Sequence, residues 1–91
     1  MRITAEISLY PLADDFVGDI REFIRQLRRE PGLEIISNQL STQLRGEYAA
    51  VTGAIGRCMA ESMRQGGPMV FVVKYISADL PIGTPPRLEA V

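Results

Sequence analysis

Residues 2–10 alternate without a break, and no other run constrains the fold of this chain as tightly. Ile3, Ala5, Ile7 and Leu9 fall on one side; Arg2, Thr4, Glu6, Ser8 and Tyr10 fall on the other. Successive strand side chains point to opposite faces, so the pattern is a β-strand with one face on a core and the other turned away. Pro11 cannot donate to a ladder and closes the strand. From Asp14 the period changes. Phe16, Val17, Ile20, Phe23, Ile24 and Leu27 recur at three- and four-residue steps, one apolar stripe of a helix. Asp14 or Asp15 is the expected N-cap, and Pro31-Gly32 the stop. Its acids (Asp14, Asp15, Asp19) come early and its bases (Arg25, Arg28, Arg29) late, the order the helix macrodipole favours.

Leu33 to Ser37 reads as a second strand and Leu40 to Arg45 as a third, joined by a tight connection at Asn38-Gln39. Gly46 is expected to break the third strand and Glu47 to open a second helix. On that helix Tyr48, Val51, Ile55, Cys58, Met59, Ser62 and Met63 share a face. Gly53 and Gly56 cost it about 2 kcal/mol of propensity relative to Ala, and close approach of another backbone would compensate. Gly66-Gly67-Pro68 ends the helix, and Met69 to Ile76 is a fourth strand, apolar on both faces except for Lys74.

The order strand, helix, strand, strand, helix, strand is the α+β ferredoxin-like βαββαβ arrangement. Right-handed crossovers put strands one and three in the centre of a four-stranded antiparallel sheet, with two helices on one face. The other face is left open. Residues 1–77 form the expected domain, and 78–91, with Pro81, Pro85 and Pro86, an extended C-terminal arm.

At 91 residues there is room for one domain. Ten basic residues against eleven acidic give a net charge of −1, without the basic excess on which nucleic-acid binding depends. The absence of histidine excludes His-based triads, imidazole acid/base schemes and histidine metal sites. A single cysteine, Cys58, cannot form an internal disulfide and fits a reducing cytoplasm. No apolar run approaches a transmembrane length, and residues 1–4 lack the apolar core of a signal peptide. A cytoplasmic domain with neither nucleic-acid nor membrane partners is expected.

Glu6 is the first candidate site residue. A carboxylate in mid-strand is either a solvated member of a cross-strand ion pair with Arg2 or Lys74, or an anchor for a ligand's amino group or cation. Ser8 and Tyr10 add hydroxyls and a ring on the same face. A second constellation, Asn38, Ser41, Thr42, Gly46 and Glu47, spans the hairpin and the entry to helix two. Turn and cap duties explain Asn38 and Glu47. They explain Ser41 and Thr42 poorly, because a central strand prefers bulkier apolar residues. Arg21, Arg25 and Arg28 form a stripe that reads first as a solvated face interleaved with acids. Met59 and Met63 read as core filler and Cys58 as an inert core thiol.

Thr4-Ala5-Glu6-Ile7-Ser8-Leu9-Tyr10-Pro11-Leu12, the hairpin run from Asn38 through Tyr48, and Phe71-Val72-Val73-Lys74 together resemble the YkoF-like thiamine/hydroxymethylpyrimidine-binding family. The likeness extends over about residues 2–76. It implies a ferredoxin-like subunit that associates through its sheet, as a homodimer or homotetramer. It also implies binding of thiamine or its pyrimidine moiety as ligand, without catalysis, metal or other cofactor. The polar motif positions it carries over are Glu6, Ser8, Tyr10, Asn38, Ser41, Thr42 and Glu47.

Two readings from other classes compete. An acylphosphatase-like enzyme wants a glycine-containing anion loop with an Arg after strand one, and this chain has Pro11-Leu12-Ala13-Asp14-Asp15 there. A regulatory or assembly domain that associates through its sheet and binds another metabolite, or none, is the stronger rival.

Overall fold

The computed structural model describes residues 1–12 and 16–88. Its elements are β1 (Arg2–Pro11), α1 (Phe16–Arg29), β2 (Glu34–Ser37), β3 (Thr42–Glu47), α2 (Tyr48–Gln65) and β4 (Met69–Ile76). The sheet is antiparallel in the order β2-β3-β1-β4, with β1 and β3 central and β4 at an edge. This is the ferredoxin-like α+β fold.

The alternation of β1 does what its pattern requires. Ile3, Ala5, Ile7 and Leu9 are buried and join Leu44 of β3, Phe23 and Leu27 of α1, and Val51, Ala54, Ile55 and Cys58 of α2 in one core. Burying a Val, Leu, Ile or Phe side chain contributes about 1.5–3 kcal/mol, so this cluster holds both helices to one face. The stop after α1 is as the sequence suggests, with Gly32 left-handed at φ 78°. The N-cap expected at Asp14 or Asp15 lies outside the described residues.

Both helical stripes are narrower than their periodicity suggests. Val17 at the start of α1 is exposed, and so are Tyr48 and Met63 at the two ends of α2. Helix ends overhang the sheet, so an apolar residue there keeps the period without reaching the core. Met63 is therefore not core filler, whereas Met59 packs against the cluster. Nor does a close backbone approach explain the α2 glycines. A Cβ at Gly56 would meet nothing within 4 Å, and one at Gly53 would meet the Arg57 guanidinium.

The hairpin register also differs. β3 begins at Thr42, not Leu40, and runs through Gly46 to Glu47; Gly46 pairs with Ile3 instead of breaking the strand. Residues 38–41 form the connection. Asn38 Oδ1 accepts from the amides of Leu40 (2.9 Å) and Ser41 (3.2 Å), and Asn38 N–H donates to Ser41 O at 3.1 Å. The Asn side chain thus stands in for a backbone acceptor and makes a wider turn than a two-residue connection. Gly46 is buried in the strand because Gly32 O lies only 2.8 Å from where a Cβ would be.

One part of the open face is covered. Beyond β4 the chain turns back across the sheet. Thr4 Oγ1 donates to Ala78 O (2.7 Å) and accepts from Leu80 N (2.8 Å), which leaves Thr4 2% exposed. Arg2 Nε donates to Asp79 Oδ2 at 2.8 Å, and Arg45 Nη1 to Leu80 O at 2.8 Å. The arm therefore straps the Thr4–Arg45 end of the sheet and leaves the Ser8–Tyr10 end uncovered.

Candidate functional site

The β1 ladder is lopsided. Toward β4 its pairing continues to Pro11↔Met69, but toward β3 it stops at Ile7↔Thr42, because the hairpin turns away there. Beyond Ile7 the β3-side edge of β1 has no strand partner among the described residues. Unpaired strand edges present backbone N–H and C=O groups that need partners. A cleft of about 350 Å3 opens at this notch. Ile7 and Leu9 of β1 and Ile20, Phe23 and Ile24 of α1 give it apolar walls, and residues 38–42 close it on the hairpin side.

Five of the seven sequence-derived site residues line this cleft: Ser8, Tyr10, Asn38, Ser41 and Thr42. They reach it from different directions. Thr42 sits on the helix face of β3, buried, with its hydroxyl 2.9 Å from Ser37 Oγ. Tyr10 and Ser8 belong to the open-face side of β1, and Tyr10 is 54% exposed. Asn38 uses its Oδ1 within the turn. Ser41 donates to Glu6 Oε2 at 2.9 Å and accepts from Gln43 Nε2 at 2.7 Å.

Glu6 stands one shell behind, outside the lining. Its other oxygen is 3.3 Å from Lys74 Nζ across the β1–β4 ladder, the ion pair that its place in the strand suggests. The Ser41 hydroxyl, and then Lys74, hold its carboxyl below the usual glutamate range. Ionised Glu6 fixes the orientation of a hydroxyl on the cleft wall. Glu47 is elsewhere: it ends β3, makes no side-chain cap to α2, and takes the N-terminal ammonium at 3.0 Å. The α2 N-terminus is closed by the backbone, with Tyr48 N donating to Met1 O at 2.8 Å.

Periodicity assigns Ile20, Phe23 and Ile24 to the core, and it gives no sign that they also form a wall. Leu40, 87% exposed at the rim, is placed in a strand by the alternation of 40–44. The notch itself depends on where β3 stops pairing, which no local pattern encodes. Cys58 is buried, and burial pushes its thiol pKa up, away from the reactive thiolate. Among the described residues, no helix is long and apolar enough to cross a membrane.

The fold and notch define a ferredoxin-like domain with a cleft at the hairpin end of its sheet. The model of the YkoF-related family matches residues 2–83, and the chain belongs to that family. No curated protein matches it significantly. Among solved structures, protein SP2199 from Streptococcus pneumoniae is similar with a TM-score of 0.80 at 15% identity, over 88% of this chain and 90% of that one. A candidate thiamine biosynthesis/salvage protein from Thermotoga maritima, TM0486, aligns with a TM-score of 0.74 at 16% identity, over 100% and 96% of the two chains. A domain of unknown function from Bacillus cereus aligns at 0.75 and 18% identity, over 90% and 84%.

Proposed function

We propose that this protein binds thiamine, or the hydroxymethylpyrimidine that forms half of it, in the cleft at the β1 notch, and does so without catalysis. The observation that carries the reading is the unpaired edge of β1 beside an apolar slot. An aminopyrimidine is flat and presents an amino donor beside ring-nitrogen acceptors along one edge. A strand edge offers the complementary N–H and C=O groups at fixed spacing, and Ile7, Leu9, Ile20, Phe23 and Ile24 supply apolar walls for the ring. The Asn38 amide and the Ser8 hydroxyl supply further polar contacts at the ends, and Tyr10 an aromatic surface at the mouth. Membership of the YkoF-related family and the likeness to the Thermotoga maritima protein support the same ligand class.

A thermal-shift panel of hydroxymethylpyrimidine, thiamine and unrelated amino acids tests it. Ligand at 100 times Kd stabilises the native state by about 2.7 kcal/mol, which for a domain of this size raises Tm by about 10 °C or more. A flat response to both thiamine-related compounds would overturn the reading and favour an assembly domain that binds another metabolite or none.

A further inference from the structure

The outer side of α1 carries a second cleft, of about 410 Å3, lined by Val17, Ile20, Arg21, Ile24, Arg25 and Arg28. Ile20 and Ile24 line both clefts, so the two adjoin across one apolar ridge. Residues 21, 25 and 28 are spaced i, i+4, i+7 and project along one face, spanning about 10 Å of helix. Acids interleaved around this stripe would neutralise it, and they do so only in part. Arg25 pairs with Glu22 at 3.1 Å, in contact with solvent. Arg21 and Arg28 form no ion pair among the described residues. Position near the helix C-terminus accounts for Arg28, but not for Arg21 in the second turn. In a chain of net charge −1, three guanidinium groups on one helix face beside a ligand-sized cleft make a local cationic site.

We propose that Arg21, Arg25 and Arg28 take up the phosphate end of a phosphorylated ligand whose ring lies in the adjoining cleft. This rests on the pyrimidine reading given above and narrows it to the phosphorylated members of that class. The chemistry is complementary in both parts. The ring needs apolar walls and a strand edge, and a phosphate or diphosphate is matched by the planar, multidentate donors of arginine. The Ile20–Ile24 ridge separates the two, so a ligand with a linker between ring and phosphate can lie across it.

The full chain is titrated calorimetrically with thiamine, thiamine monophosphate, thiamine diphosphate and inorganic pyrophosphate, at low and at moderate salt. The same titrations are run on a triple variant, Arg21→Gln, Arg25→Gln, Arg28→Gln, and on its Lys counterpart. All three side chains lie on the solvent side of α1 and outside the core, so the variants should fold. Circular dichroism and Tm verify that. The diphosphate should bind about tenfold or more tighter than thiamine. The advantage should shrink with salt, vanish in the Gln variant and return in part in the Lys variant, while thiamine itself binds all three proteins alike. Equal affinity for thiamine and its diphosphate would overturn the proposal, as would a phosphate advantage that survives the Gln variant. If no thiamine compound binds, the ring assignment fails. Pyrophosphate binding abolished in the Gln variant would then still uphold the arginine site, and its absence would remove both.

Discussion

Gly46 and Gly56 are both glycines inside regular elements, and the structure sets opposite expectations for replacing them. At Gly46 a methyl group would sit 2.8 Å from the Gly32 carbonyl and 3.2 Å from Leu33 Cδ2. The β3 backbone or the loop after α1 must move, and Gly46→Ala should cost about 1–3 kcal/mol, the scale of core overpacking. At Gly56 the added methyl meets nothing, so Gly56→Ala should gain about 0.5–1 kcal/mol from helix propensity alone. Urea unfolding of the two variants gives both signs, and a stabilised Gly46→Ala would contradict the packing. Glu6 carries a different prediction at the same scale. Its folded carboxyl is held below the ordinary value of 4.5 by Ser41 and Lys74, so it releases its proton more readily folded than unfolded. That contribution is complete above the unfolded pKa and is lost as pH falls through the lower folded one. Glu6→Gln should therefore be less stable than the natural sequence at pH 7, with the gap narrowing towards pH 3. A gap of equal size at both pH values would show that the carboxylate's charge does nothing for the fold.

At the scale of elements, β1 and the helix order were legible in the sequence because each is encoded locally. Alternation from Ile3 to Leu9 fixes the buried face of β1, and four strands with two helices in this order leave few right-handed arrangements. The hairpin was half legible. Asn38 announces a turn, but its side chain bridges to both Leu40 and Ser41, and this widening shifts where β3 begins. Gly46 reads as a breaker by propensity, and the long-range approach of Gly32 makes it a strand residue instead. Sequence pattern singled out the polar residues of the candidate site one by one but not the cleft that five of them line, since the notch arises where one ladder ends and another continues. The arm was the least legible element. Proline content marks residues 81–86 as irregular, but nothing local says that 78–80 return to Thr4. A short polar residue in mid-strand was the available signal. Thr4→Val keeps the shape and removes both hydrogen bonds, leaving the Ala78 carbonyl and the Leu80 amide without partners. It should cost about 1–3 kcal/mol, and amide exchange at Leu80 should accelerate. Unchanged Leu80 protection in Thr4→Val would mean that the strap is held by Arg2, Asp79 and Arg45 instead.

The whole molecule measures 43 × 28 × 18 Å, and the short dimension is one sheet with a single layer of helices on it. A two-layer domain leaves its second sheet face to water unless something covers it. The arm covers the Thr4 end. At the other end Tyr10, Val70 and Val72 are 54%, 45% and 46% exposed, with Ile76 at 38% beside the strap. The ladder sets Tyr10 opposite Val70 and Ser8 opposite Val72, so Tyr10, Val70 and Val72 form one patch, while Ile76 lies apart, beyond the Glu6–Lys74 pair. Its valines lie on β4, an edge strand whose far side has no strand partner among the described residues. An apolar patch on an edge strand is the surface that proteins ordinarily mask. Lys74, paired with Glu6, bounds the patch on the side towards Ile76. We therefore expect a second copy of the chain to pack against this face, sheet on sheet or edge to edge, so that the species in solution is a homodimer or homotetramer. Light scattering at micromolar concentration should return a multiple of 10.1 kDa. Val72→Lys should shift the mass towards the monomer without unfolding it, because that side chain already faces solvent in the single chain. A natural protein that runs as a monomer would refute the expectation, and so would a Val72→Lys variant that keeps the full oligomeric mass.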